Sequence, residues 1–251
     1  MIKISRQNRI LVIQIHRPEK KNALVPDMYR DMASALESVT DNNDKAVLIK
    51  GATNCFTAGN DISDFASNAK PEDVTVSHRF MLALLRCQVP VVAQVQGMAI
   101  GIGTTLLLHC DFVYCDESAK FAMPFINLGL VPEYASSYIL PRISGNLAAA
   151  ELLMLGEAFG AEKALKCGII TECVPSDDID AHVERVLSKL VSLPSHAMQQ
   201  TKALLRNQEV AITQHIETEL KVFAEAMVSA PAKEAFAAFL EKRPINTDIY
   251  K

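Results

Sequence analysis

Three stretches of the chain combine residue types and spacings that can do chemistry. The first is Cys55-Phe56-Thr57-Ala58-Gly59-Asn60-Asp61-Ile62. An Ala-Gly pair allows a tight turn and close approach of a ligand to the backbone, whose N–H groups can then face an anion. The same stretch also reads as a plain strand-to-helix connection in which Asn60 or Asp61 caps the next helix. The second is Val95-Gln96-Gly97-Met98-Ala99-Ile100-Gly101-Ile102-Gly103. Its glycines lead into Thr104–His109, which reads as a helix, and a helix N-terminus carries unsatisfied N–H groups that favour an oxyanion. The order G-x-x-x-G-x-G is not the G-x-G-x-x-G of dinucleotide sites. It also suits close packing of a helix on a strand. The third is Pro132-Glu133 ahead of Tyr134-Ala135-Ser136-Ser137-Tyr138. Glu133 is a carboxylate that can carry a proton, although a proline followed by an acid is also an ordinary helix opening.

Periodicity indicates the strands and helices that hold these loops. Ile2 and Ile4 alternate with polar residues, Arg6-Gln7-Asn8 supplies a turn and Ile10–Ile15 returns, which predicts a hairpin. Pro26 with Met28, Met32, Ala35, Leu36 and Val39 predicts a helix. Ala46–Ile49 and Val91–Val95 predict buried strands, each running into one of the two glycine loops. Between them a polar stretch near Ser67–Asp73 leads into a helix bearing Phe80, Leu84 and Cys87. Phe112–Tyr114 and Lys120–Ala122 read as short strands. The alternation continues to about Val174 and points to an α/β chain with parallel or mixed sheets. From Pro175 the pattern is helical: Ala181–Leu193, Ala197–Arg206, Ile212–Val228 and Ala232–Leu240, with Pro194 and Pro231 each just ahead of a new helix. The expected organisation is an α/β core over residues 1–194 and a helical region over 195–251. That region must bury its apolar faces against the core or a neighbouring subunit.

Composition narrows the function classes. The 251 residues, 49% hydrophobic and 22% charged, suffice for a full core without disulfide or metal staples. A net charge of −4 argues against a nucleic-acid binder working by bulk electrostatics. It leaves room for small polyanions at a local patch such as Arg17, Lys20 and Lys21, with Lys242 and Arg243 as further candidates. The cysteines form no C-x-x-C pair and are expected as free thiols in a reducing, cytoplasmic setting. The histidines have no zinc-site spacing, so no metal is expected. Apolar runs break before membrane-spanning length, Met1–Arg6 lacks a signal-peptide core, and Ile249-Tyr250-Lys251 is no peroxisomal tripeptide.

Set in order, Arg17-Pro18 with Asn22-Ala23-Leu24, Phe56–Asp61, Gly97–Gly103, Cys110-Asp111, Phe121-Ala122-Met123-Pro124 and Leu128-Gly129 resemble the crotonase (enoyl-CoA hydratase/isomerase) superfamily. The resemblance covers nearly the whole chain. It implies a crotonase-like spiral of ββα units with a C-terminal helical trimerisation region, and a homotrimer or dimer of trimers. It implies an acyl-CoA thioester as partner, with no nucleic acid, no membrane and no separate cofactor, since CoA is part of the substrate. Carried over by position, the N–H groups of Ala58 and Ile102 hold the thioester oxygen and stabilise the enolate formed when a Cα proton leaves. Ala23, Asn60, Asp61, Ile62, Phe125 and Leu128 join these two as implied substrate-binding positions.

The same resemblance separates reactions within the family. Its hydratases use two glutamates, one in the helix after the glycines and one just after the proline of the F-x-x-P segment. This chain has Thr105 and Phe125 there. Glu133 instead matches the base of the peroxisomal-type Δ3,Δ2-enoyl-CoA isomerases, which also resemble Ala99-Ile100-Gly101-Ile102 and Thr105-Leu106-Leu107. The implied reaction, of fatty-acid β-oxidation type, moves a 3-enoyl-CoA double bond to the 2-trans position with one glutamate as acid/base. Phe125, Leu128, Leu130 and Val131 are candidate walls of an apolar pocket that would raise that carboxyl toward neutrality. Asp61 and Asp111 read as structural, His109 as a packed side chain, and Tyr134, Ser136 and Ser137 as possible substrate contacts. Two alternatives stay open: an enoyl-CoA hydratase or other reaction of the family, and a non-catalytic acyl-CoA-binding homologue.

Overall fold

The first hairpin turns on two residues. In the computed structural model of the protein, which describes residues 1–63 and 71–250 apart from the side chains of 71–74, β1 (Ile2–Gln7) and β2 (Ile10–Ile15) pair antiparallel. Asn8 and Arg9 make the turn at φ 53° and 63°. Such a turn matches the right-handed twist of the strands, so Arg6 and Gln7, expected in the turn, belong to β1 instead.

Every other neighbour in this sheet is parallel. β3 (Ala46–Gly51) pairs with β2 and with β4 (Val91–Val95). Parallel neighbours require crossovers, which α1 (Pro26–Glu37) and α2 (Pro71–Leu85) supply. Of the polar stretch expected near Ser67–Asp73, the part up to residue 70 lies outside the described residues, as does residue 251. Next come β5 (Met98–Ile100), α3 (Ile102–Thr105) with a 3-10 turn (Leu106–His109), β6 (Phe112–Cys115) and β7 (Lys120–Ala122). After these the chain forms α4 (Ser136–Ser144), α5 (Asn146–Ala150), β8 (Phe159–Gly160), α6 (Ala161–Lys166) and β9 (Glu172–Cys173). It closes with α7 (Ile179–Ser192), α8 (Ser195–Leu205), α9 (Glu209–Met227) and α10 (Ala230–Glu241).

The strands form a six-stranded sheet, β1-β2-β3-β4-β6-β9, and a three-stranded sheet, β5-β7-β8. The second sheet corrects the sequence reading. Met98–Ile100, which reads as part of a turn into a helix, is a strand paired with β7, and the helix expected over Thr104–His109 starts earlier, at Ile102, and tightens to 3-10 after Thr105. Gly97 and Gly101, at φ 63° and 57°, bracket these three residues and hide the strand.

Side chains along β3 and β4 alternate between two buried faces. Val47, Ile49, Val91, Ala93 and Val95 face the layer that contains Met28 and Met32 of α1 and Phe80 and Leu84 of α2. Ala46, Leu48 and Val92 face Ile179, Val183, Leu187 and Leu190 of α7. Both faces are covered, which is why these strands read as unbroken apolar runs. α8 is tied down by charge: Lys202 and Arg206 both pair with Asp111, at 2.7 and 2.9 Å. Pro231 lies in the first turn of α10, not ahead of it, where its missing N–H costs nothing. Among the described residues no helix is long and apolar enough to cross a membrane.

Candidate active site

The two glycine loops meet. Thr57 N–H donates to the Met98 carbonyl at 2.8 Å, and Ile100 N–H donates to the Thr57 carbonyl at 3.1 Å. A Cβ on Gly59 would lie 2.7 Å from the Ile100 carbonyl oxygen, and one on Gly103 would lie 2.5 Å from Cγ2 of Thr57. Glycine at these two positions is what lets the loops touch.

The N–H groups of the first loop are mostly spent. Ala58 donates to the Lys21 carbonyl at 3.0 Å, Gly59 to Thr57 Oγ1 at 3.1 Å, and Asp61 to the Leu24 carbonyl at 2.9 Å. Asn60 N–H has no acceptor among the described residues. The reason is register. Leu24 pairs with Asn60 as parallel strands do, so the Gly59 carbonyl and Asp61 N–H face Leu24 and the Asn60 N–H points away. This corrects the expectation for Ala58: the available donor belongs to Asn60. In the second loop Gly101 N–H donates to the Ala122 carbonyl at 2.8 Å. Ile102 N–H, at the first position of α3, has no intrahelical acceptor and none elsewhere among the described residues.

Glu133 is buried in the loop ahead of α4. Thr105 Oγ1, one turn beyond Ile102 on α3, donates to Glu133 Oε1 at 2.5 Å. Burial pushes this carboxyl up to about 8; the Thr105 hydrogen bond pulls down and the Glu219 charge adds to the rise. Tyr29 of α1, also buried, donates its hydroxyl to Asn60 Oδ1 at 2.5 Å. Burial, with Glu133 nearby, holds that phenol well above its usual range. Tyr29 therefore ties the Asn60 loop to the surroundings of Glu133. Sequence reasoning missed Tyr29 and Glu219, and no local pattern marks either one.

The residues around Glu133 are internally satisfied. Tyr134 stacks on His109 at 3.8 Å between ring centroids, and its hydroxyl donates to the Met81 carbonyl at 2.9 Å. His109 Nε2 lies 2.8 Å from the Tyr134 carbonyl, an acceptor, so Nε2 carries the proton. Burial pulls the His109 pKa down to about 3. Ser136 Oγ donates to the Glu133 carbonyl at 2.7 Å, and Ser137 Oγ to Glu219 Oε1 at 2.5 Å. None of the three candidates Tyr134, Ser136 and Ser137 has its hydroxyl proton to spare.

The other expected positions scatter. Ala23 N–H donates to the Lys20 carbonyl at 3.0 Å, and the Ala23 carbonyl accepts from Arg17 at 3.0 Å. Arg17 also pairs with Asp61 at 2.7 Å, so this arginine holds the loop. Burial opposes ionisation of Asp61, but hydrogen bonds from Ser63 and Arg17 keep its carboxyl below the ordinary value. Arg243 pairs with Glu234 and Glu241. Ile62 and Leu128 are half-buried against the core, and Phe125 packs edge-on to Phe223 of α9 with centroids 6.5 Å apart.

The sequence pattern of the enoyl-CoA hydratase/isomerase family matches residues 5–248. The chain is 31% identical over 250 residues to "Enoyl-CoA delta isomerase 2" of Rattus norvegicus, covering 97% of this chain and 64% of that protein. It is 30% identical over 243 residues to "2,3-dehydroadipyl-CoA hydratase" of Escherichia coli, covering 96% and 95%. The crystal structure of an enoyl-CoA hydratase/isomerase from Pseudoalteromonas atlantica T6c matches with a TM-score of 0.92 at 38% identity and 98% coverage of each chain. The chain thus spans less than two thirds of the rat relative and nearly all of the two bacterial ones. On these matches, and with the two-sheet α/β architecture above, the chain belongs to the enoyl-CoA hydratase/isomerase family and has the crotonase fold.

Proposed function

We propose that the protein shifts the double bond of a 3-enoyl-CoA to the 2-trans position, with Glu133 as sole acid/base. The Asn60 and Ile102 N–H groups hold the thioester oxygen. The observation that carries this reading is the partner of Glu133, a threonine hydroxyl and not a second carboxylate. Adding water across a double bond needs one carboxylate to orient the water and another to move its proton. Glu219 does not fill that role, because its oxygens are engaged by Ala135 and Ser137.

Isomerisation needs no water. The ionised Glu133 takes the C2 proton, and the electron pair delocalises through the C3–C4 double bond and the thioester carbonyl. The resulting dienolate oxygen carries the charge that the two N–H groups meet, each worth about 3–4 kcal/mol. The same carboxyl then delivers its proton to C4, and the double bond settles between C2 and C3. A carboxyl near 8 is matched to both halves of this exchange at neutral pH. The exposed Leu147, Met154 and Leu155 support assembly of several copies, in keeping with a trimer.

Purified protein given 3-enoyl-CoA and, separately, 2-enoyl-CoA tests the reading. Isomerisation of the first without hydration of the second is expected, and Glu133→Gln abolishes it. Hydration of the second that survives Glu133→Gln overturns the assignment. Binding of both without turnover identifies a non-catalytic acyl-CoA-binding protein.

A further inference from the structure

Glu219 is a buried acid on α9, far in sequence from Glu133. Its hydrogen bonds go to the residues just after Glu133. Oε2 accepts from the Ala135 N–H at 2.5 Å, and Oε1 accepts from the Ser137 N–H at 3.1 Å and the Ser137 hydroxyl at 2.5 Å. Ala135 is the N-cap of α4, and its methyl group has no acceptor to cap with. Glu219 therefore caps α4 from another helix, placing a negative charge where the helix dipole favours one.

The backbone it caps is strained. Tyr134 and Ala135 are consecutive non-glycine residues at φ 60° and 56°, in the left-handed region that costs residues with a Cβ. Such a turn persists only when its surroundings over-determine it. Tyr134 is held by His109 and the Met81 carbonyl; Ala135 and Ser137 are held by Glu219.

We infer that Glu219 is a positioning residue for Glu133: by pinning the 135–137 backbone it sets the direction from which the Glu133 carboxyl meets Thr105 and the substrate. The inference rests on the reading of Glu133 as the base. The groups facing Glu133 are Tyr29 from α1, Thr105 from α3, the adjacent Tyr134, and Glu219 from α9. His215, one turn before Glu219, lies 3.3 Å from Ser137 Oγ and offsets the Glu219 charge. Removing Glu219 thus has two effects, a loosened turn and a lost negative charge beside the base.

The test uses Glu219→Ala and Glu219→Gln in the full chain, assayed with 3-enoyl-CoA across neutral pH, with Glu133→Gln as reference. In Glu219→Ala, kcat falls by about tenfold to a hundredfold while KM stays near that of the parent. The acidic limb of the profile moves to lower pH, because Glu133 ionises more readily without the neighbouring charge. Glu219→Gln keeps an acceptor without the charge, so it recovers part of kcat and shows the same displaced limb. If Glu219→Ala does not fold, Glu219→Gln decides on the same two readouts. Unchanged kcat and an unmoved limb overturn the role of Glu219 while Glu133→Gln remains inactive. So does a fall in kcat that tracks lost thermal stability with the limb in place. An active Glu133→Gln overturns the underlying assignment of the base instead.

Discussion

Thr105 Oγ1 donates to Glu133 Oε1 at 2.5 Å, joining α3 to the loop ahead of α4. The same short helix begins with Ile102, whose N–H has no acceptor among the described residues. One short helix therefore fixes both the proposed oxyanion donor and the orientation of the proposed base. The second donor is fixed by a different element, since Asn60 is held through its side chain by Tyr29 of α1. Preorganisation of this kind costs no rearrangement as charge develops.

Thr105→Val removes the hydroxyl at nearly constant volume. The lost bond stabilised the ionised carboxylate, so the Glu133 pKa rises further above its present value near 8. Activity at neutral pH then falls by about tenfold or more, as expected for a hydrogen bond to a charged group. The acidic limb moves to higher pH, opposite to the effect of removing Glu219. A pH–rate profile on 3-enoyl-CoA reads the direction; a limb in its original place sinks the assignment.

Glu133→Gln separates function from stability. The folded-state carboxyl is raised above its unfolded value, so its contribution is fully present below the unfolded pKa of 4.5 and is lost as pH rises through about 8. Glutamine carries no charge to bury. The variant is inactive, yet above pH 8 it is more stable than the parent, by on the order of a few kcal/mol. At acidic pH the gap closes. Thermal or urea denaturation at two pH values measures it, and a variant equally destabilised at both contradicts the buried-carboxylate account.

What the sequence made legible divides by distance along the chain. The strands around Val47 and Val92 were readable because burial on both faces leaves an unbroken apolar run. β5 was not, since three residues between two left-handed glycines look like a loop. The resemblance points to Glu133 and puts the donor on Ala58, whereas the N–H without an acceptor among the described residues is that of Asn60. Which N–H points outward depends on the pairing of Leu24 with Asn60, a contact between separate segments that neither encodes alone. Glu219 was invisible for the same reason: nothing in Ile216-Glu217-Thr218-Glu219 marks the second acid as buried and the first as exposed.

Asp111 is expected to matter for stability and not for chemistry. Its carboxylate accepts from the Val91 N–H, Lys202 and Arg206, and Lys202 is buried. Burial lowers the Lys202 pKa, and Asp111 is foremost among the groups that oppose this. Asp111→Ala leaves that ammonium with the Val89 carbonyl as its only hydrogen-bond acceptor among the described residues. The expected loss is about 3 kcal/mol, a fall in Tm of about 10 °C. The pH–rate profile of the surviving folded fraction stays in place, which separates this network from the one around Glu133.

Ile102→Pro tests the donor directly, because a backbone N–H can be deleted only by proline. Proline is favoured at the first position of a helix, where no intrahelical acceptor exists for the N–H it lacks, and Ile102 occupies that position in α3. The preceding Gly101 already has φ 57°, a conformation its missing side chain permits. Ile102 is buried, so the substitution also trims packing; Ile102→Ala trims more of the side chain while keeping the N–H. The expected pattern is a loss of about 100-fold or more in kcat for Ile102→Pro, with Ile102→Ala remaining active and both variants folded by circular dichroism. Equal losses in the two variants would assign Ile102 a packing role and leave Asn60 as the sole oxyanion donor of the pair.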